Sequence, residues 1–549
     1  MTSPEKESDI KSPKQRGTAM DKAKVKAEYS FSSWAFQRCI GLAYLAAFGS
    51  LATQITGLIG HNGILPVEKI AKLIEFNDLN FPLLGVFNFI GTSDLSLQWL
   101  CWIGSAAALL ASVGFATPIM FFICWILWMS VVNVGQDFLS FQWDILLLEA
   151  GFLSIFMAPW RILDWPCGKL GRTLCAPPVV SVWLFRWLLF RLMIESGFCK
   201  VASGDETWRS LTAMNYHYHT QPLPTPLAWL FDKSPEFMLK SFTLATLAIE
   251  LLCPFLIPIK RLRLVAAFLL MFLQICIAFT GNYAYFNFLT FGLCLFLVED
   301  ADWAFIYSVI RKKILVRFKK KSPGIAHRVT AAVGALPVLF LSAFQIFPIG
   351  VALLFLILSI VGIDAPRISI PEPLADSANF VSRFYIVDHY GLFATMTTVR
   401  DEIILEGSAD GVTWKEYQFK YKPGNTSLPP CIVAPLQPRL DWQMWFASLG
   451  DLRSSPWFVD FVVKIFENSP EVLGLLGTNP FPEKPPEYLR AMLYRYTFSS
   501  LDDLVHTGNW WQRDFKSYFL PEISRSEVMK INQRDKAPQG APMPEKVEY

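Results

Sequence analysis

Long apolar runs, separated by short polar and often basic segments, fill the chain from residue 35 to residue 363. A helix that crosses a bilayer needs about 20 mostly apolar residues, because hydrocarbon offers no partner to a bare N–H or C=O group. On that criterion spans are predicted over 35–59, 98–116, 118–134, 141–158, 179–198, 241–258, 264–280, 286–298 and one beginning at 329. The last run continues to Ile363 and contains Pro348, so it reads either as one tilted span with an interfacial tail or as a tight pair. The predicted fold class is an α-helical polytopic membrane bundle of about nine spans followed by a small α+β domain with antiparallel strands.

Beyond Pro366 the pattern becomes that of a water-soluble domain. Segments 384–387, 392–406 and 413–421 are rich in aromatic and β-branched residues with partial alternation, and read as strands. Ser408, Ala409, Asp410 and Gly411 supply the turn between the last two. Segments 457–466 and 470–476 read as short helices, 489–498 as a helix or a late strand, and the polar tail from Arg525 as loose chain. The domain reading is a disordered cytoplasmic N-terminus over 1–33 and a membrane domain over 34–363. That domain holds an exoplasmic loop at 200–240 and a basic cytoplasmic loop at 299–328. A C-terminal domain over 364–524 and a tail over 525–549 follow.

Composition agrees with lipid as the main solvent: 53% of residues are hydrophobic, 17% charged and 15% aromatic. Basic residues set the orientation, since cytoplasmic loops collect Lys and Arg. Lys6 to Lys26, then Arg161, Lys169 and Arg172, then Lys260, Arg261 and Arg263, then the cluster from Arg311 to Arg328 all fall on one side if eight spans precede Val329. The exoplasmic side then receives 61–97, 201–240 and 281–285, and with a single last span the C-terminal domain too. The N-terminal segment is charged and has no apolar core, so it does not read as a cleavable signal. The net charge of +3 is spread over the topology and gives no argument for nucleic acid. Of ten cysteines, most sit in predicted spans or on the cytoplasmic side, which leaves Cys199 and Cys431 and no disulfide framework. No metal-ligand spacing, phosphate loop or nucleophile elbow is present, so neither metal nor cofactor is assigned.

Candidate chemistry concentrates in the loop after the fifth predicted span. His217 and His219 alternate with Tyr216 and Tyr218, and in an extended segment both imidazoles would face one way, able to hold a metal or titrate near neutral pH. The same residues can instead anchor the loop at the interface through hydrogen bonds and tyrosine rings. Gln221, Pro222 and the prolines that follow make a rigid edge. Lys200, at a span end, is either a desolvated base or a snorkelling anchor. Asp144, Glu149, Glu195 and Glu250 are ionisable groups within spans, where charge is tolerated when paired or wet; pairing with Arg186, Arg191 or Lys200 is the main reading, a proton or substrate path the other. Asn282 and Tyr283 cap the seventh span or line the same cavity. Trp442 and Trp445 share a helix face, as core or as an aromatic surface for exposed client segments.

Three separated blocks, TWRSLTAMNYHYHTQPLPTPLAW at 207–229, EGSADGVTWKEYQFKYKPG at 406–424 and QPRLDWQMWFASLG at 437–450, resemble the lipase maturation factor family. Shorter runs at 142–153 and 389–407 agree in the same order. The resemblance implies a multipass membrane protein of the endoplasmic reticulum that assists folding of secreted lipases; bacterial members would sit in the inner membrane. It implies partners in membrane lipid and a secreted protein client. Asp205, Trp208, Arg209, Tyr216, His217, Tyr218, His219, Gln221, Pro222, Trp442 and Trp445 are then the client-binding or functional candidates. Vertebrate members carry loop cysteines where this chain has Thr207 and Ala213, which takes a disulfide role away from its loop. The run from Gly197 to Val201, with Asp205 and Trp208, also resembles a segment of the vitamin K-dependent γ-carboxylase family. That likeness implies Lys200 as a base acting on a quinol. A non-enzymatic maturation factor is the first reading, a carboxylase-like enzyme the second and a transporter the third.

Overall fold

The structure is a computed structural model that describes residues 29–76, 84–164, 173–311, 319–321, 323–360, 380 and 382–536. The segment read as a disordered N-terminus lies almost wholly outside these residues, as does the end of the tail. The membrane half is built from α1 (Ser30–Ala52), α2 (Asp94–Ser112), α3 (Thr117–Val134), α4 (Gln142–Met157) and α5 (Val179–Ala202). A short loop helix, α6 (Met214–Thr220), precedes α7 (Glu236–Leu252), α8 (Arg263–Thr280), α9 (Phe286–Cys294) and α10 (Ile325–Ile360).

Local signals begin these helices where they should. Ser93 caps α2 by accepting from the Ser96 amide, and Pro118 sits in the first turn of α3, where its missing N–H costs nothing. The central helix is α1, which packs on α2, α4 and α9. Its Tyr44 hydroxyl donates to the Leu147 carbonyl at 3.1 Å, and a Cβ on Gly151 would collide with that hydroxyl, so only glycine lets α4 come this close.

Six helical segments among the described residues are long and apolar enough to cross a membrane: α1, α2, α3, α7 with its extension to Leu256, α8, and Ile325–Ser342 of α10. The expectation of about nine spans is not reached on this measure. The helix α4 has 16 residues, α9 is short, and α5, though 24 residues long, carries Arg186, Arg191, Glu195 and Lys200. The segment read as a span at 35–59 breaks after Ala52, and Ile55–Ile59 is a separate short helix. As far as it is described, to Ile360, the last apolar run is one unbroken helix rather than a pair; at 1.5 Å per residue α10 is about 54 Å long, more than a ~30 Å hydrocarbon core needs.

The C-terminal domain is a four-stranded antiparallel sheet of β1 (Arg400–Ser408), β2 (Trp414–Glu416), β3 (Tyr488–Phe498) and β4 (Trp511–Ser524) in the order β2-β1-β3-β4. Helices α11 (Arg439–Ser448) and α12 (Pro456–Phe466) accompany it. All nine residues of β1 are buried, as suits an inner strand. Its turn into β2 uses Gly411 at φ +74°, while the Asp410 carboxylate accepts from the Val412 and Thr413 amides at 2.9 and 2.7 Å.

Several expectations are corrected here. The segment 384–387 is turn and irregular chain, and only the end of 392–406 is strand, because its aromatic residues serve the contact with the membrane half rather than a ladder. The segment 489–498 is strand, and β4 follows where no strand had been expected. The polar tail begins with a helix, Arg525–Lys536.

Candidate functional site

The loop between α5 and α7 rests on the C-terminal domain, and this contact uses most of the residues that the sequence marks. Trp208, Met214, Tyr218 and Trp229 of the loop form one buried cluster with Met396, Ile404, Tyr496, Phe498 and Trp511. Polar groups close its edges. Asp205 caps the turn at Glu206–Arg209 through the Thr207 amide at 2.7 Å and accepts from the Met396 amide at 2.7 Å. Burial pushes its carboxyl up, but the amides of Met396 and Thr207 and the Thr207 hydroxyl outweigh that and hold it below the ordinary range. The indole N–H of Trp208 donates to the Phe393 carbonyl at 3.0 Å, that of Trp229 to Ser499 at 3.1 Å, and that of Trp445 to Thr220 at 2.9 Å.

Arg400, fully buried at the start of β1, is the centre of this contact. Its guanidinium donates to the carbonyls of His219 at 2.9 Å, Gln221 at 2.5 Å and Pro222 at 2.9 Å, and to the Glu402 carboxylate at 2.5 Å. Lys422 holds the other Glu402 oxygen at 2.9 Å. Gln221 extends the contact: its amide donates to the Thr280 carbonyl at 2.8 Å and its oxygen accepts from Tyr283 at 2.8 Å. Asn282, which follows α8, donates to Leu223 and Cys431 and accepts from Val433 and Ala434, tying three segments together.

The two histidines do not share a face. Tyr216 to His219 is helical, not extended, so residues two apart point about 200° from each other. His219 pairs with Asp232 at 2.8 Å, whereas His217 is buried edge-on against Phe393, with ring centroids 5.0 Å apart. Burial, with Lys200 and His219 adding to it, pushes His217 down to about 4, so it is neutral at physiological pH. Among the described residues no group of three His, Cys, Asp or Glu side chains could hold a metal ion. Tyr218 stacks on Phe231 at 5.9 Å, Tyr216 is half-buried and Arg209 is exposed.

The carboxylates within the helices have partners, several of them from the C-terminal half. Asp144 receives both guanidinium nitrogens of Arg439, at 2.8 and 2.9 Å, and the Tyr285 hydroxyl at 2.8 Å. Pairing with Arg186, Arg191 or Lys200 is corrected for this residue, since Arg439 occupies both of its oxygens and the three cations of α5 are bound elsewhere. Glu149 does pair with Arg191, and also accepts from the Tyr390 hydroxyl at 2.7 Å. Glu195 accepts from the Tyr390 amide at 2.9 Å. Arg186 caps the Phe296 carbonyl instead. Trp442 is buried against Trp143, centroids 4.8 Å apart, and Trp445 is buried as well, so neither ring forms a free surface.

Lys200 binds Glu250 rather than Glu195 or Glu149. Its ammonium lies 2.8 and 3.1 Å from the Glu250 oxygens and 2.9 Å from the Ser196 carbonyl, with the Trp208 ring 5.5 Å away. An ammonium has three donors, and here each has an acceptor.

What these contacts define is a multi-pass membrane protein whose C-terminal α+β domain is bolted onto its bundle by a buried ion pair, by hydrogen bonds to buried carboxylates and by a polar loop. The model of the lipase maturation factor transmembrane domain matches residues 31–305, and that of the lipase maturation factor C-terminal domain matches 386–521. The chain is 34% identical to lipase maturation factor 2 of Gallus gallus, over 88% of this chain and 80% of that one. It is 34% identical to lipase maturation factor 2 of Homo sapiens, over 89% and 82%, and 31% identical to lipase maturation factor 1 of Mus musculus, over 89% and 87%. No solved structure matches it significantly. The chain belongs to the lipase maturation factor family.

Arg400, Arg439 and Tyr390 are the residues that sequence reasoning missed. A signal existed for Arg439, which lies inside the QPRLDWQ run that carries the resemblance, but nothing in that run says that its partner is Asp144.

Proposed function

We propose that this chain assists the maturation of secreted proteins, lipases foremost, from the membrane of the endoplasmic reticulum, with loop 200–240 and the C-terminal domain on the lumenal side. The basic clusters support that orientation, and so does the single unbroken helix α10. The contact between loop and domain requires the two to share a side. The sequon at Asn425 is exposed in this domain and offers a simple check: a glycan lost in Asn425→Gln places the domain in the lumen, and resistance to glycosylation argues against it.

The observation that carries the reading of client binding is the outer edge of the sheet. Among the described residues β3 is the one neighbour of β4, and Asp514 through Tyr518 are all exposed, with Phe515 at 52% and Tyr518 at 53%. An extended client segment can add to such an edge through main-chain hydrogen bonds, which read no sequence, while the two rings hold apolar side chains. The marked loop residues serve this by fixing the sheet on the bundle. A photoreactive residue at position 515 or 518, with a secreted lipase co-expressed, should crosslink to the immature lipase. One at exposed Val412, across the sheet, should not. Equal yields at all three positions would remove the edge from the account.

A further inference from the structure

A groove of about 390 Å³ opens between α7 and α8 on the outer face of the bundle. Phe242 and Ile249 of α7, Phe272 and Phe279 of α8, and Phe231 of the loop line it, so its walls are almost wholly apolar. Its inner end continues into a smaller pocket of about 80 Å³; Met214, His217, Thr246 and Ile277 line both.

The inner pocket is polar in an unusual way. His217, Gln274 and Asn287, on three different helices, all line it, and one polar atom of each, His217 Nδ1, Gln274 Oε1 and Asn287 Oδ1, is buried with no hydrogen-bond partner among the described residues. Their side chains belong to residues only 8%, 3% and 5% exposed. A buried polar atom left unpaired costs about 1–3 kcal/mol, so three around one space mark a place built for a polar group. Lys200 and Glu250 border the same pocket but satisfy each other, and the pair brings no net charge to it. Two of the three open atoms are amide oxygens, which accept hydrogen bonds, so the group that satisfies them must carry a donor, as a hydroxyl does and a carboxylate does not.

We propose that the groove and pocket bind a neutral lipid alcohol: one apolar chain along α7 and α8, and a hydroxyl-bearing head that donates to Gln274 Oε1 and Asn287 Oδ1 beside His217. The groove falls in the volume range of small-molecule sites, which is about 300–1,000 Å³. The inner pocket has room for a head of a few heavy atoms. This site does not depend on the reading of client binding.

The test uses the whole protein in phosphatidylcholine nanodiscs with a photoreactive, alkyne-tagged monoacylglycerol. Labelled peptides should come from α7 and α8, and unlabelled monooleoylglycerol should compete while oleate, of the same chain and anionic, should not. Ala245→Trp, at an exposed position on the groove wall, should block the chain and abolish most labelling without touching the polar pocket. Gln274→Leu and Asn287→Leu should each weaken competition about five- to tenfold, the worth of one hydrogen bond. Labelling spread evenly over the outward-facing helices, insensitivity to Ala245→Trp, or equal competition by oleate would overturn the proposal. The competition and the Ala245→Trp result stand even if a pocket variant fails to fold.

Discussion

Arg439 of α11 and Asp144 of α4 form a bidentate ion pair in which both side chains are buried, joining the C-terminal domain to the first turn of α4 in the membrane bundle. The Tyr285 hydroxyl and the Phe138 carbonyl complete the coordination of the two ions. Intramembrane carboxylates of this kind invite a transport or proton-path reading, but here three of the four bind the domain that sits on the bundle or the helix beside it, and the fourth binds Lys200.

Removing one partner of this pair should be far worse than removing both. Arg439→Leu leaves an uncompensated carboxylate and should cost about 3–5 kcal/mol, whereas a pair replaced by apolar residues of similar volume is often close to neutral. Thermal unfolding of the detergent-solubilised protein should therefore rank Arg439→Leu well below the Asp144→Leu/Arg439→Leu double variant. Equal losses would mean that the pair does not hold the domain.

Arg400 should be irreplaceable by lysine. Its planar fork serves three loop carbonyls and Glu402 at once, and an ammonium at the end of a flexible stem cannot reach that set. Arg400→Lys should expose loop 200–240 to limited proteolysis while the bundle stays resistant. A wild-type digestion pattern would contradict the assignment of this residue.

His217 gives the contact a pH dependence with a definite sign. Its folded-state value of about 4 lies below the ordinary 6.5, so between those values the unfolded chain takes up a proton that the folded chain refuses. The stabilising contribution is whole above about pH 6.5 and is lost as pH falls toward 4, at about 1.4 kcal/mol per unit in the steep part. Melting curves from pH 7.5 to 4.5 should flatten in His217→Asn relative to wild type. Parallel curves would show that the ring is solvated.

Lys200→Met should lower the amount of folded protein and leave function per molecule intact, because it strips Glu250 of its buried partner. Glu250→Gln should behave alike. Abundant, correctly inserted Lys200→Met protein without function would make this residue a base after all.

The bundle and the family were legible in the sequence because apolar length and the QPRLDWQ and YHYHTQP runs are local signals. What was not legible was long-range. The alternation of Tyr216 to His219 mimicked a strand, yet packing of Met214 and Tyr218 into the cluster with Trp229 makes it a helix. The partners of Asp144 and Lys200 lie far along the chain, at Arg439 and Glu250, where no spacing rule reaches. The strand β4 escaped notice because its exposed run is mostly polar and breaks alternation, as an edge strand open to water can.

The central claim, that this chain matures secreted lipases from the membrane, is tested most directly in lipase-secreting cells that lack their own maturation factors. Lipase activity per unit of secreted lipase protein should rise when the wild-type chain is expressed, and should fall back when Arg400→Lys is expressed at the same level. No rise with abundant, membrane-inserted wild-type protein would contradict the account.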